Sequence, residues 1–195
     1  MNLRNLTTLA AVVATVPGQA LAHTGGDHVH GAASGFLHPF SGLDHLVAMV
    51  AVGLIAARLG GPALWRLPLA FVSAMVFGAV MAKTGMNMPL TETAILASVI
   101  AFGATLIVNA NVPVTLVVAG TAAFAFFHGF AHGVEGSAAA PFGYVLGFVC
   151  GTAILHAIGI AARWALLRYS GVATAALRIV GTLVTGVGIG LAYLA

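Results

Sequence analysis

The 195 residues are 61% hydrophobic and 6% charged, with a mean hydropathy of +1.08. A soluble domain carries about 25% charged residues, so this chain cannot clothe a water-facing surface and lipid must be its solvent. The formal charge of +3 is too small and scattered for nucleic acid, and a single cysteine excludes a disulfide framework and a cysteine-based metal centre. Histidines, by contrast, number eight against four acidic residues, an excess that needs a reason in so apolar a chain.

Residues 1–22 read as a secretory signal peptide. Arg4 supplies a positive start, Leu6 to Val16 a short apolar core, and Ala20-Leu21-Ala22 a small-x-small cleavage site. The core is about 11 residues, well short of the roughly 20 needed to span a bilayer. Cleavage would leave His23 as the new N-terminus, where amine and imidazole together form a chelate. Residues 23–37 are polar and glycine-rich, with His23, Asp27, His28 and His30. A segment of this composition cannot bury a core and is expected to be flexible. It is either a metal-binding tract or a solvated linker with incidental histidines.

Six apolar segments follow, at approximately residues 41–58, 67–83, 91–109, 113–132, 141–163 and 173–194, separated by glycine- and proline-rich breaks. Backbone polar groups in lipid must be satisfied internally, so continuous apolar runs of this length are helices. The expected fold is an all-α membrane protein: a six-helix transmembrane domain over residues 38–195, following the signal peptide, with both mature termini periplasmic. The arginines set the orientation. With residue 23 outside, Arg58, Arg66, Arg163, Arg168 and Arg178 lie on the cytoplasmic side and only Lys83 outside, as the positive-inside rule demands. The expected location is the bacterial inner membrane, crossed several times, with a homo-oligomer possible.

That orientation gathers the polar residues. His38, Asp44 and His45 fall at the outer end of the first apolar segment, and His128, His132 and Glu135 at the outer end of the fourth. Met86 and Met88 fall in an outer loop. His128 and His132 are four residues apart, on one helix face with about 5–6 Å between Cβ atoms, a spacing at which two imidazoles can share a metal ion. Glu135, a turn further on, can ligate or orient an imidazole, although Gly133 could end the helix before it. Asp44 points about 100° away from His45 on a helix, so only one of that adjacent pair is expected to ligate directly. Ser41 is a candidate N-cap, and a re-entrant chain there could fold His38 over His45. His156 sits about 22 Å past Pro141 along a helix, in the inner half of the bilayer, with Thr152 one turn away on the same face. It reads either as an ion or proton relay or as an interhelical hydrogen-bonding group. Cys150, Met75 and Met81 read as core.

His-Pro-x-x-Gly-x-Asp-His at 38–45, with Met49 following, and Phe-His-Gly-x-Ala-His-Gly-x-Glu at 127–135 resemble the HupE/UreJ family of membrane proteins. The signal peptide, six spans and short chain are similar as well. The resemblance implies a secondary permease for nickel or cobalt, tied to the supply of hydrogenase or urease. It maps the family's first motif onto His38, Asp44 and His45, and its second onto His128, His132 and Glu135.

The residue chemistry is compatible. Imidazole suits nickel, cobalt, copper and zinc, whereas magnesium would want more carboxylates and copper(I) more sulfur at the mouth. The sequence lacks Gly-x-x-x-x-Gly-Lys-Ser/Thr, so an ATP-driven pump is not expected. A divalent ion moving inward gains about 4.6 kcal/mol per 100 mV, twice the single-charge value. The expectation is therefore not an enzyme but a carrier. Its substrate is Ni²⁺ or Co²⁺, taken from periplasm to cytoplasm, with no organic cofactor, and its expected partners are the bilayer and the ion. The rival readings are a haem-binding electron carrier, which needs axial histidines on facing helices deep in the bundle, and a metal sensor without transport.

Overall fold

The computed structural model describes residues 31–108, 112–136, 141–168 and 172–195. The expected signal peptide and His23, Asp27, His28 and His30 lie outside the described residues. Among the described residues the chain forms seven helices and no strand: α1 (Ala32–Ser41), α2 (Leu43–Leu59), α3 (Ala63–Ala82), α4 (Thr91–Ile107), α5 (Val114–Glu135), α6 (Pro141–Leu167) and α7 (Ala173–Leu194). Large apolar side chains such as Leu69, Phe77, Leu116, Leu146 and Leu183 face outward, as they would toward lipid.

The breaks follow local chemistry. Gly60 and Gly61 take φ of 68° and 48°, in the left-handed region that glycine enters without a Cβ penalty, and turn the chain from α2 into α3. Pro113 precedes α5 with φ −55° and no N–H to leave unpaired.

The first expected segment, residues 41–58, is α2, and the main addition to the sequence reading is α1, which meets it at Gly42 with a bend of 86°. The helix starts at Ala32, within the stretch expected to be flexible. Ser41 is not the N-cap of the following helix. Gly42 is, and the Ser41 hydroxyl instead donates to the His38 carbonyl oxygen at 2.7 Å.

By length and composition α3, α5, α6 and α7 can each cross a bilayer, and α1 with α2 counts as a fifth, broken span. The apolar α4 has 17 residues, a reach of about 26 Å against a hydrocarbon core of about 30 Å. Length and composition thus carry four or five spans rather than the expected six.

Helices α3 and α5 make the most extensive pair, α4 lies on α7, and α6 packs on both α1 and α2. Small residues allow the close approaches, as is usual where packing rather than hydrophobicity joins helices. A Cβ on Gly129 of α5 would strike the Met75 carbonyl oxygen of α3, and one on Gly53 of α2 would strike that of His156 on α6. The core contains Met49, Met75, Phe71 and Phe148, all at 0% exposure. Met75 is therefore core as expected. Met81 is only half-buried, and Cys150 is exposed on the outer surface of α6 rather than in the core.

The two ends of the bundle differ in charge. Arg58 of α2 donates to the carbonyl oxygens of Thr105 and Val108 at the end of α4, the latter at 2.7 Å. That end also receives the end of α6 with Arg163 and the starts of α3 and α7 with Arg66 and Arg178. Lys83, at the end of α3, is at the opposite end, where its Nζ donates to Gly136 at 2.9 Å. The histidine cluster is at the Lys83 end.

Candidate metal site

The site is built where the α1–α2 bend meets the last turns of α5. Gly42 is extended, with φ −94° and ψ 123°, so α1 ends and α2 begins in a new direction. The bend sets His38 over His45, with 6.4 Å between ring centroids. Asp44, in the first turn of α2, accepts hydrogen bonds from the His45 backbone N–H at 2.8 Å and from its ring Nδ1 at 2.9 Å. The carboxylate thus holds its neighbour's ring, and the Nε2 of His45 is left buried with no partner.

From α5 come His128 and His132, both at 0% exposure. The helix runs through Gly133 to Glu135, so the glycines do not end it early. His132 lies between the two histidines of the first motif, 4.7 Å from His38 and 4.6 Å from His45 between ring centroids. His45 is in turn 4.8 Å from His128. Glu135, at the rim, pairs with His38 through Oε2 and Nε2 at 2.8 Å. Ligand atoms of His38, His132 and Glu135 all lie within 4.8 Å of one another, a grouping able to hold a metal ion.

The hydrogen bonds also set which ring nitrogen is free. Ser98 of α4 has one hydroxyl hydrogen and lies 2.6 Å from the Ile95 carbonyl oxygen and 2.8 Å from His128 Nε2. With that hydrogen given to the carbonyl, Ser98 accepts from Nε2–H, which makes Nδ1 the lone-pair nitrogen of His128. That Nδ1 is buried and unpartnered. Both nitrogens of His132 are unpartnered as well, its ring held by stacking on Phe148 at 5.0 Å and 22°. Buried polar groups are ordinarily paired, so three neighbouring imidazoles with buried, unpartnered ring nitrogens are the kind of donors a Lewis acid binds.

Six predicted residues are therefore brought together: His38, Asp44, His45, His128, His132 and Glu135. His156 is not among them. It lies deeper, 1% exposed, against the Phe71 ring at 5.0 Å, a ring that also lies 5.6 Å from that of His128. His23 lies outside the described residues.

Sequence reasoning missed several neighbours. Glu92, in the first turn of α4, is within electrostatic reach of Asp44, His45 and Glu135. Its signal was rarity, since it is one of only four acidic residues. Ser98 and Tyr144, whose ring is 5.8 Å from His38, carried no comparable signal.

Long apolar helices with an imidazole and carboxylate cluster buried at one end define a multi-pass membrane protein with a candidate transition-metal site. The chain belongs to the HupE/UreJ family: the family described as HupE / UreJ protein matches residues 10–191. It is 41% identical over 176 residues to Protein HupE of Rhizobium leguminosarum bv. viciae, covering 90% of each chain. No solved structure matches.

Proposed function

We propose that this protein is a secondary permease for a divalent transition-metal ion, nickel or cobalt, moving it from periplasm to cytoplasm across the bacterial inner membrane. In this reading the chain makes six crossings, with the histidine cluster facing the periplasm and the arginine-rich end facing the cytoplasm. His38, Asp44, His45, His128, His132 and Glu135 form the entry site.

The observation that carries the reading is the packing of His38, His45 and His128 around or beside His132 and one another at 4.6 to 4.8 Å, drawn from three different helices. Asp44 and Glu135 sit behind His45 and His38, where a carboxylate fixes ring orientation and raises ligand basicity. A site of mostly neutral ligands holds a borderline ion without trapping it, as a carrier requires. Edge-to-face imidazoles at this spacing leave no slot for a planar macrocycle between them, which weighs against a haem carrier.

The test is ⁶³Ni and ⁵⁷Co uptake by cells making the wild type or His132→Ala at matched membrane levels. The expected result is uptake by the wild type and near-background uptake by the variant. Equal uptake by the two would refute the entry site, and no uptake by the wild type would refute the permease.

A further inference from the structure

Below the entry site the bundle core carries a second set of metal-type donors. Met49 is one turn deeper than His45 on α2, and Thr152 is one turn short of His156 on α6. Met75 comes from α3 at the level of Gly129. The Thr152 hydroxyl lies 3.4 Å from Met49 Sδ and 3.7 Å from Met75 Sδ, so the two thioethers converge on one point from two helices. Both methionines and Thr152 are at 0% exposure.

One turn on, about 5–6 Å between Cβ atoms, stands His156, with neither ring nitrogen partnered among the described residues. A buried polar group left without a partner is costly, and here two nitrogens of one ring are so placed. Methionine as plain core filler explains the burial of the sulfurs. It does not explain an unpaired imidazole next to them.

From these residues the geometry points to a second, interior metal station formed by the thioethers of Met49 and Met75 and the imidazole of His156, with Thr152 bridging. It takes a borderline or soft first-row transition ion, because thioether and imidazole donors select against magnesium and calcium. All three donors are neutral. A divalent ion is therefore held there with less electrostatic stabilisation than at the carboxylate-backed entry cluster, and it can leave again. This inference rests on the permease reading for its place in transport, but as a binding site it stands on its own donors.

The test uses full-length protein in lipid nanodiscs, labelled with selenomethionine and loaded to saturation with Ni²⁺, and reads nickel-edge X-ray absorption. The expected result is a direct nickel–selenium scattering path. It is lost in Met49→Leu/Met75→Leu, which is close to volume-conserving, and kept in Met86→Leu/Met88→Leu. Nickel with only nitrogen and oxygen neighbours in the wild type would overturn the site, as would persistence of the path in Met49→Leu/Met75→Leu. ⁶³Ni uptake keeps the two readings apart. Uptake without a nickel–selenium path removes the interior station and leaves the permease. A nickel–selenium path without uptake removes the permease and leaves the station. In transport, His156→Gln is expected to lower uptake about 10-fold, the scale of losing one element of a metal site, and unchanged uptake would remove His156 from the route.

Discussion

The substitution that best separates the site from the fold is Gly42→Ala. Gly42 sits at φ −94° and ψ 123°, a region open to every L-residue, so alanine meets no backbone strain there. Restricting the unfolded chain would by itself stabilise by about 0.4–1 kcal/mol. The added Cβ, however, would lie 2.8 Å from Asp44 Oδ1 and 3.2 Å from His45 Nδ1. Ordinary contact begins near 3.4 Å, so Oδ1 must retreat by about 0.6 Å. The carboxylate is the free end of a side chain and can move at little cost to the fold. In moving, it stretches the bonds of 2.8 Å and 2.9 Å by which it holds the His45 backbone and ring. Sites of this kind tolerate about 0.5 Å of misplacement, and loss of an orienting carboxylate lowers metal affinity about 10- to 100-fold. The expectation is a thermal midpoint in detergent equal to or slightly above wild type, together with a half-saturation for ⁶³Ni uptake raised about 10-fold. Unchanged half-saturation would refute the role assigned to the Asp44–His45 pair. A lowered midpoint would show that Gly42 serves the fold instead.

Ser98→Ala removes the acceptor for His128 Nε2–H, frees the ring to change tautomer, and should weaken nickel binding several-fold by titration while costing the fold about 1–3 kcal/mol. Glu135→Gln weakens the contact with His38, in which the Glu135 side chain is 53% exposed. Its effect on stability should be under about 1 kcal/mol, and its effect on uptake smaller than that of Asp44→Asn, whose partner ring is more enclosed. Gly129→Val presses a side chain into the α3 backbone at Met75, which cannot step aside, so loss of folded protein from the membrane fraction is expected. Arg58→Met removes two charge-assisted bonds to the end of α4 and should lower the thermal midpoint while leaving nickel affinity unchanged. Nickel at 100 times its dissociation constant should raise stability by about 2.7 kcal/mol in the wild type, reversibly on chelation, and His132→Ala should reduce that shift.

Much of the fold was legible because lipid leaves the chain so few options. The apolar runs, with glycine and proline between them, mark α3 to α7 to within a few residues. The arginines sort to one end because the helices alternate in direction. The folding of His38 back over His45 was legible as a re-entrant chain before the first span, but its form as a helix was not: α1 begins in a polar, glycine-rich stretch, and Ser41 offered a conventional cap that the chain does not use. Cys150 was misplaced for a related reason: in a helix apolar all round, hydropathy does not tell the bundle-facing side from the lipid-facing one. The same ambiguity hid Ser98, since one hydroxyl in α4 is unremarkable until the register of α4 against α5 is known.

The sequence pointed to the residues that gather in the candidate site but not to their arrangement. Spacing gave the pair His128 and His132 on one face, and topology put the first motif at the same end. Neither could say that both histidines of α5 would be fully buried against the first motif. That follows from the contact of Gly129 with the α3 backbone, which seats α5 deep enough to bury both of its histidines completely. Burial then sorts the roles. His45 and His38 reach a carboxylate because they lie toward the rim, and His128 reaches only a neutral serine. His132 has no partner among the described residues, so both of its nitrogens remain open. An ion entering from the rim would meet carboxylate-supported imidazoles first and progressively less anionic support as it goes inward, to His128 and then to the neutral donors around His156. In the proposed carrier, that gradient would favour capture at the mouth and release from the core, the asymmetry inward transport needs.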